Sequence, residues 1–498
     1  MPNFILIYPP QDFNPRFGVV GPDGSLGLLY LASILRDNQY DVKVLDTITG
    51  DNVNELDDVF YNHKKIADNK FRAGMSIEKI IDRVKDYNVI CISSIFSFGT
   101  YGVEDIIYHV KQTYPNKFIL LGGVNARSQA KRFFNKGADL ICTTEAEDTI
   151  IDIANKLKIN EKDFSDVKGV IYQKDEKIII TDPPQVKENL DLLPFPAWDL
   201  LPLDIYWSLQ LGHSGIENLG KYQYMMTSRG CPFSCSFCHI SKEKEKGSFT
   251  GNIGKYRIKS ISRVLDEVDI LLDLGVEFIY ISDDSFLAKP NRAIKICNEL
   301  EKKNVQLADV NGVNLVHFFE KKNNKLVLNK RLIDALASAG FKKLIFPVEA
   351  GSQYILNKFV SGKINLNIHD LDELISYTKS QNIEIGGNYI FGYPHETLEQ
   401  INATYNLAKQ HKDSGLDYVN FHLLTPFPGT VLYDYAIEHN LLDEVDPASY
   451  HLYESVMKLE VSNDILTDIL TTKWKKLNGS DRIDNIRKRQ SSIEITQM

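Results

Sequence analysis

Short apolar runs rich in β-branched residues alternate with longer amphipathic stretches along the first third of the chain. This alternation predicts a parallel sheet covered by helices. The strand-like runs are "NFILIY" (3–8), "DVKVLD" (41–46), "NVICISS" (88–94), "KFILLGG" (117–123) and "ADLICT" (138–143). Between them lie "SLGLLYLASILRD" (25–37), "SIEKIIDRVKDY" (76–87), "GVEDIIYHVKQTY" (102–114) and "ARSQAKRFFNKG" (126–137), which read as helices. Five strands with crossover helices predict a doubly wound, Rossmann-like α/β domain over residues 1–160, with its ligand site beyond the carboxyl ends of the strands.

The pattern then breaks. Residues 168–182 read as a hairpin around the charged turn "KDEK", and the prolines of "DPPQVKENLDLLPFPAWDLLPLD" (182–204) prevent a helix or a central strand. Residues 161–215 are accordingly expected to be a hairpin and a linker. A second βα series follows over 216–430. Its strands are "YQYMMTS" (222–228), "VEFIYISDD" (276–284), "VQLADVNGV" (305–313), "KKLIFPVEAG" (342–351), "IEIGGNYIFG" (383–392) and "LDYVNFHLLTPF" (416–427). Helical stretches at 260–275, 329–340 and 371–381 separate them, so the unit is expected to be a partial (β/α)6 barrel with its chemistry at the carboxyl ends of the strands. Residues 431–498 read as a small helical tail ending in a polar, frayed stretch.

The loops at the strand ends of the first domain are "YPPQDFNPRFGVVGPDGS", "SSIFSFGTYG", "GGVNA" and "TTEAED". Gly, Ser, Thr and Pro there let backbone approach a ligand closely, although tight turns ask for the same residues. A bound cofactor is expected, and not a nicotinamide dinucleotide, because no GxGxxG follows the first strand.

Composition narrows the function classes. At 498 residues and 43% hydrophobic, the chain is long enough for more than one core. A net charge of −9 argues against a broad nucleic-acid surface and for a small-molecule or peptide substrate. The start "MPNFILIYPP" has no basic region, no long apolar core and no run of about 18 apolar residues, so a cytoplasmic, unanchored protein is expected. Six cysteines are too few for a disulfide scaffold. Cys91, Cys142 and Cys297 each sit in an apolar run and read as small buried hydrophobes.

The other three, Cys231, Cys235 and Cys238, lie in "SRGCPFSCSFCHI" with spacing CxxxCxxC, just after the first strand of the second series. Thiolates bind soft metals, so a metal is expected at the barrel mouth. A structural zinc needs a fourth ligand, and His239 is too near Cys238 to be an obvious one. An iron–sulfur cube with three protein ligands instead leaves one iron open to a small molecule.

CxxxCxxC in this position resembles the radical S-adenosylmethionine superfamily. The resemblance implies a [4Fe-4S] cluster on Cys231, Cys235 and Cys238 whose open iron is chelated by S-adenosylmethionine. Reductive cleavage of that cofactor then gives a 5′-deoxyadenosyl radical, with the electron coming from a donor such as flavodoxin or ferredoxin. The other strand ends are similar too. In "ISDDSF", Asp283 or Asp284 would meet the amino group of S-adenosylmethionine; in "VEAGSQ", Glu349 would hold the ribose hydroxyls, with Ser352 near the ribose or carboxylate. "GGNYIFGYPHET" resembles the glycine-rich motif near the adenine, which places Gly386 and Gly387 among the cofactor contacts, and "HLLTPFPGTVLYD" resembles the segment beside it.

The first half, through "PDGSLGLLYLASILRDNQYDVKVLD", "LLGGVNA", "ICTTEAED" and the linker "LDLLPFPAWDLL", is similar to the cobalamin-binding domain fused ahead of the barrel in one class of these enzymes. That likeness implies cobalamin held with the help of Ser25, Ser94, Gly122, Gly123 and Glu145. The DxHxxG motif, whose histidine ligates cobalt in other cobalamin domains, is absent. The resemblance implies methyl transfer to an unactivated carbon or a phosphinate of a small molecule or peptide. Radical cyclisation or rearrangement is the alternative, and a cluster-bearing, non-enzymatic regulator a third. A methylthiotransferase acting on tRNA is disfavoured, because the N-terminal domain lacks further clustered cysteines and the chain is acidic. The substrate is expected between the domains, within reach of Tyr389, His395 and His422; no residue is assigned to catalysis from the sequence.

Overall fold

The computed structural model describes residues 1–14, 21–67, 70–213 and 220–479. The middle of the first strand-end loop (15–20), the junction around residue 215 and the polar end of the tail therefore lie outside the described residues.

The five expected N-terminal strands form, as Phe4–Tyr8, Val42–Asp46, Val89–Ser93, Phe118–Gly122 and Leu140–Cys142, and all pair in parallel. Chain order reverses beside Phe4–Tyr8, which pairs with Val42–Asp46 on one side and Val89–Ser93 on the other. A crevice opens at the carboxyl ends of the strands at such a point. Alternate residues of the first strand go to opposite faces. Ile5 and Ile7 pack under the helices Ile77–Val84 and Thr100–Thr113, while Phe4 and Leu6 belong to a core continuous with that of the barrel. The two units thus share apolar interior.

Three features differ from expectation. The hairpin Val170–Lys174 and Lys177–Ile180 pairs antiparallel to Leu140–Cys142 and forms the edge of the N-terminal sheet, so it belongs to that unit and not to the linker. The fourth helix is two short ones, Val124–Ser128 and Ala130–Phe134. A three-stranded antiparallel sheet of Gln11–Phe13, Lys70–Ala73 and Lys64–Ala67 lies in stretches too charged to read as strands.

All six barrel strands form, as Tyr222–Met225, Phe278–Ile281, Gln306–Asp309, Phe341–Glu349, Glu384–Phe391 and Tyr418–Leu423. They pair in parallel in chain order, and the first and last do not pair with each other, so the barrel is open. Side-chain caps start its helices: Ser260 accepts from Arg263 N, Asp370 from Glu373 N, and Thr397 with Gln400 forms a capping box. A hairpin, Phe319–Lys322 and Lys325–Leu328, is inserted after the third strand. The tail begins with the helix Val431–Glu438 and later returns to the last strand, where Trp474 Nε1 donates to Val419 O at 2.9 Å. Among the described residues no helix is long and apolar enough to cross a membrane.

Candidate active site

The cysteine loop is shaped from both sides. At Gly230 φ is +75°, and a Cβ there would lie 2.4 Å from Lys255 O, so only glycine fits. Cys231 N donates to Gly254 O at 3.2 Å. On the far side the segment after helix Gln353–Phe359 is stitched to the loop: Ser236 N donates to Phe359 O at 2.8 Å, Cys235 Sγ to Val360 O at 3.6 Å, and Ser234 N to Ser361 Oγ at 3.1 Å. Lys244 Nζ binds Cys231 O at 2.9 Å and also Phe233 O, tying the loop to the helix that follows it.

Burial disfavours the thiolate form at all three cysteines. Burial pushes Cys235 up to about 11 and Cys238 up to about 12, and raises Cys231 as well, so each stays protonated until a metal displaces the proton. Asn314 Nδ2 lies 4.0 Å from Cys231 Sγ, as an outer partner of the loop. Among the described residues no three His, Cys, Asp or Glu side chains converge as the ligands of a single ion must. That geometry disfavours zinc, whereas three cysteines on three irons of a cube face no such requirement.

The acidic pair at 283 and 284 separates into two roles. Asp283 accepts from Thr227 N at 2.5 Å, Thr227 Oγ1 at 2.6 Å and Ser228 Oγ at 2.5 Å, so it braces the strand leading to the cysteines and is not available to a ligand. Among the described residues Asp284 accepts from Gly230 N at 3.0 Å, within the electrostatic reach of Cys231 and Cys238. Burial raises Asp284 to about 6. It is the member of the pair placed to meet a cationic group.

Glu349 ends the fourth strand with φ +73°, a strained conformation for a residue with a side chain. Its carboxylate meets Lys363 Nζ at 2.8 Å, with both side chains 7% exposed. Ser352 caps the following helix by accepting from Ile355 N at 3.5 Å. Gly386 and Gly387 lie in the first half of the fifth strand, away from its carboxyl end. A Cβ on Gly386 would lie 2.4 Å from the Tyr418 ring and one on Gly387 2.7 Å from Leu416, so these glycines make room for neighbouring side chains rather than for a cofactor. Tyr389 is buried with its hydroxyl on His411 Nδ1 at 2.8 Å, and exposed His395 pairs with Glu460 at 3.2 Å, so neither faces the site. His422 packs beside Tyr453 of the tail, and its Nδ1 is buried without a hydrogen bond.

A cavity of about 350 Å³ opens where the strand ends of the two units face each other. Its floor is apolar and includes Leu6, Leu28, Leu120 and both Cys91 and Cys142, so these two thiols are cavity lining as well as buried hydrophobes. From the barrel come Tyr224, Met226, Ser282 and Asn311. Ser25, Gly122 and Gly123 also line it. Cβ atoms on Gly27 and Gly122 would meet nothing within 4 Å, whereas one on Gly123 would lie 2.4 Å from Ser94 O. The first two glycines widen the cavity; the third permits a close backbone crossing. Ser94 is turned away, accepting from Asn125 Nδ2 at 2.8 Å, and its neighbour Ser93 lines the cavity instead. Glu145 reaches the cavity wall but is held by Arg257 at 2.5 and 2.9 Å.

That pair belongs to a seam of ions joining the units. Arg229, two residues before Cys231, binds Glu147 at 2.6 Å and Glu145 at 3.3 Å, and Arg127 binds Glu243 just beyond the cysteines. The N-terminal loops are therefore fixed to both flanks of the cysteine loop. Sequence reasoning missed Lys363, Lys244 and Asn314, single polar residues with no motif of their own.

The sequence profile of the Radical SAM superfamily matches residues 225–408, which span the cysteine loop and the second to fifth barrel strands. Over 463 residues the chain is 27% identical to an uncharacterized methyltransferase of Pyrococcus horikoshii, covering 92% of this chain and 88% of that one. It is 26% identical over 450 residues to the cytidylyl-2-hydroxyethylphosphonate methyltransferase of Streptomyces wedmorensis, covering 84% and 78% respectively. The fold is shared with a radical S-adenosylmethionine methyltransferase from Kitasatospora setae solved with cobalamin and a [4Fe-4S] cluster, at a TM-score of 0.63, 15% identity and coverage of 99% and 100%.

Proposed function

We propose that the chain is a B12-dependent radical S-adenosylmethionine enzyme, a cobalamin-dependent methyltransferase acting on an unactivated carbon or a phosphinate of a small molecule or peptide. When bound, the cluster with S-adenosylmethionine supplies a substrate radical and cobalamin supplies a transferable methyl group. The chain's own residues hold and orient these groups. Cys231, Cys235 and Cys238 ligate the cluster; Asp284 accepts from the amino group of S-adenosylmethionine; Glu349 accepts from its ribose. Ser352 is held at the amino end of its helix, beside them in the chain. Cobalamin enters the cavity between the units, where Ser25, Gly27, Gly122 and Gly123 give it room. The apolar floor excludes water from its buried portion.

The observation that carries this reading is that cavity. It lies at the carboxyl ends of both sets of strands, and the ion seam fixes its N-terminal wall to the cysteine loop. Two cofactors held on facing strand ends can act on one substrate between them. The two relatives named above are methyltransferases and match over more of the chain than the anaerobic magnesium-protoporphyrin IX monomethyl ester cyclases, which are 24% identical over 77% and 72% of it; that supports methylation over cyclisation. The test is to reconstitute the protein anaerobically, reduce it with a low-potential one-electron donor and supply S-adenosylmethionine and cobalamin. Formation of 5′-deoxyadenosine is expected; its absence from protein carrying an intact cluster would favour the non-enzymatic regulator.

A further inference from the structure

Lys363 is a lysine with 7% of its side chain exposed, in a segment held to the cysteine loop by hydrogen bonds to Phe359 O, Val360 O and Ser361 Oγ. Its ammonium ion donates to Glu349 Oε1 at 2.8 Å, its hydrogen-bond partner among the described residues, and it interacts electrostatically with Cys235 and Cys231. A charge so buried is costly unless it faces opposite charge; Glu349 offsets it here, and ligated thiolates nearby would offset it further. Lys244, the other lysine felt by these thiols, spends its donors on backbone carbonyls and is only partly buried. Asp284 adds negative charge on the opposite flank of the loop.

We propose that Lys363 is a positioning residue for the cluster, whose buried positive charge, balanced by Glu349, sets how readily the cluster accepts an electron. This rests on the family reading above. Reduction adds one electron from an external low-potential donor and no proton, so the cluster becomes more negative by one charge. A fixed cation beside it favours that change, and a fixed anion opposes it. The bond between Lys363 and Glu349 also ties the end of the fourth strand to the loop that grips Cys235.

The test is a mediated redox titration of the full, anaerobically reconstituted chain without S-adenosylmethionine, followed by electron paramagnetic resonance of the reduced cluster. Lys363→Met is expected to lower the ratio of reduced to oxidised cluster about tenfold at a fixed potential, about 59 mV for a one-electron couple. Lys363→Arg should stay near wild type, and Glu349→Gln should shift the ratio the opposite way. Should Lys363→Met fail to assemble a cluster, Glu349→Gln decides: an upward shift upholds the proposal and an unmoved potential overturns it. A wild-type protein with no labile sulfide would instead overturn the family reading.

Discussion

The two sets of strand ends that face each other are built in opposite ways. On the barrel side the polar groups already engage one another: Asp283 with Thr227 and Ser228, Asp284 with Gly230 N, and Glu349 with Lys363. On the N-terminal side the strand ends leave a hollow lined mainly by aliphatic side chains, two thiols and glycines, with Asp23, Ser25, Ser93, Thr144 and Glu145 as its polar groups. The first arrangement suits a small charged cofactor whose every contact is directional, and the second a large cofactor held by shape. Substitutions should therefore act through charge on one side and through volume on the other.

The largest effect is expected at the cysteines. Cys235→Ala removes a ligand from an iron and should abolish both the cluster and S-adenosylmethionine cleavage, read as lost labile sulfide and lost 5′-deoxyadenosine; cleavage at wild-type levels would break the barrel half of the comparison. Next comes volume. Gly122→Leu places a side chain in open space, so the protein should fold normally and retain its cluster while losing cobalamin. Gly123→Ala, whose Cβ would press on Ser94 O at a φ of +105°, should instead destabilise the fold, by about 1–3 kcal/mol. If both variants behave alike, the hollow is not read by shape.

A smaller effect is expected from Glu349→Gln, which keeps the size but removes the charge. Losing a charge-assisted hydrogen bond worth about 1.5–3 kcal/mol should weaken S-adenosylmethionine binding by roughly ten- to a hundredfold, measured by calorimetry on protein with a full cluster. The smallest concerns Asp309 at the end of the third barrel strand. It is buried and raised to about 7, with Gly312 N donating to it at 2.8 Å. The unfolded chain titrates near about 3.9, so the folded form loses stability as pH rises from there through about 7. Asp309→Asn should raise the apparent Tm by a few degrees at pH about 8 and change little at pH about 3, below both pKa values.

The same contrast explains what the sequence made legible. Both sheets were readable because doubly buried parallel strands are continuous apolar runs, and the cysteine spacing is specific. Glycine was not readable in function: "GGNY" and "GGVN" look alike, yet the missing Cβ makes room for Tyr418 and Leu416 in one and for a cavity and a backbone crossing in the other. Nor does "DD" reveal which aspartate is already engaged. The strands at 64–67 and 70–73 are rich in Lys and Arg, so they carry no apolar alternation, and a lone lysine in "VSGKI" gives no hint that the loop bearing it will fold over the cysteines.

On this reading one chain holds two different cofactors on facing strand ends. The most direct test is the absorption spectrum of protein produced and purified without oxygen in the presence of cobalamin, with cobalt, iron and sulfide measured on the same sample. The account predicts the corrin bands and stoichiometric cobalt alongside a full iron–sulfur cluster. A protein that keeps its cluster but takes up no cobalamin would contradict it.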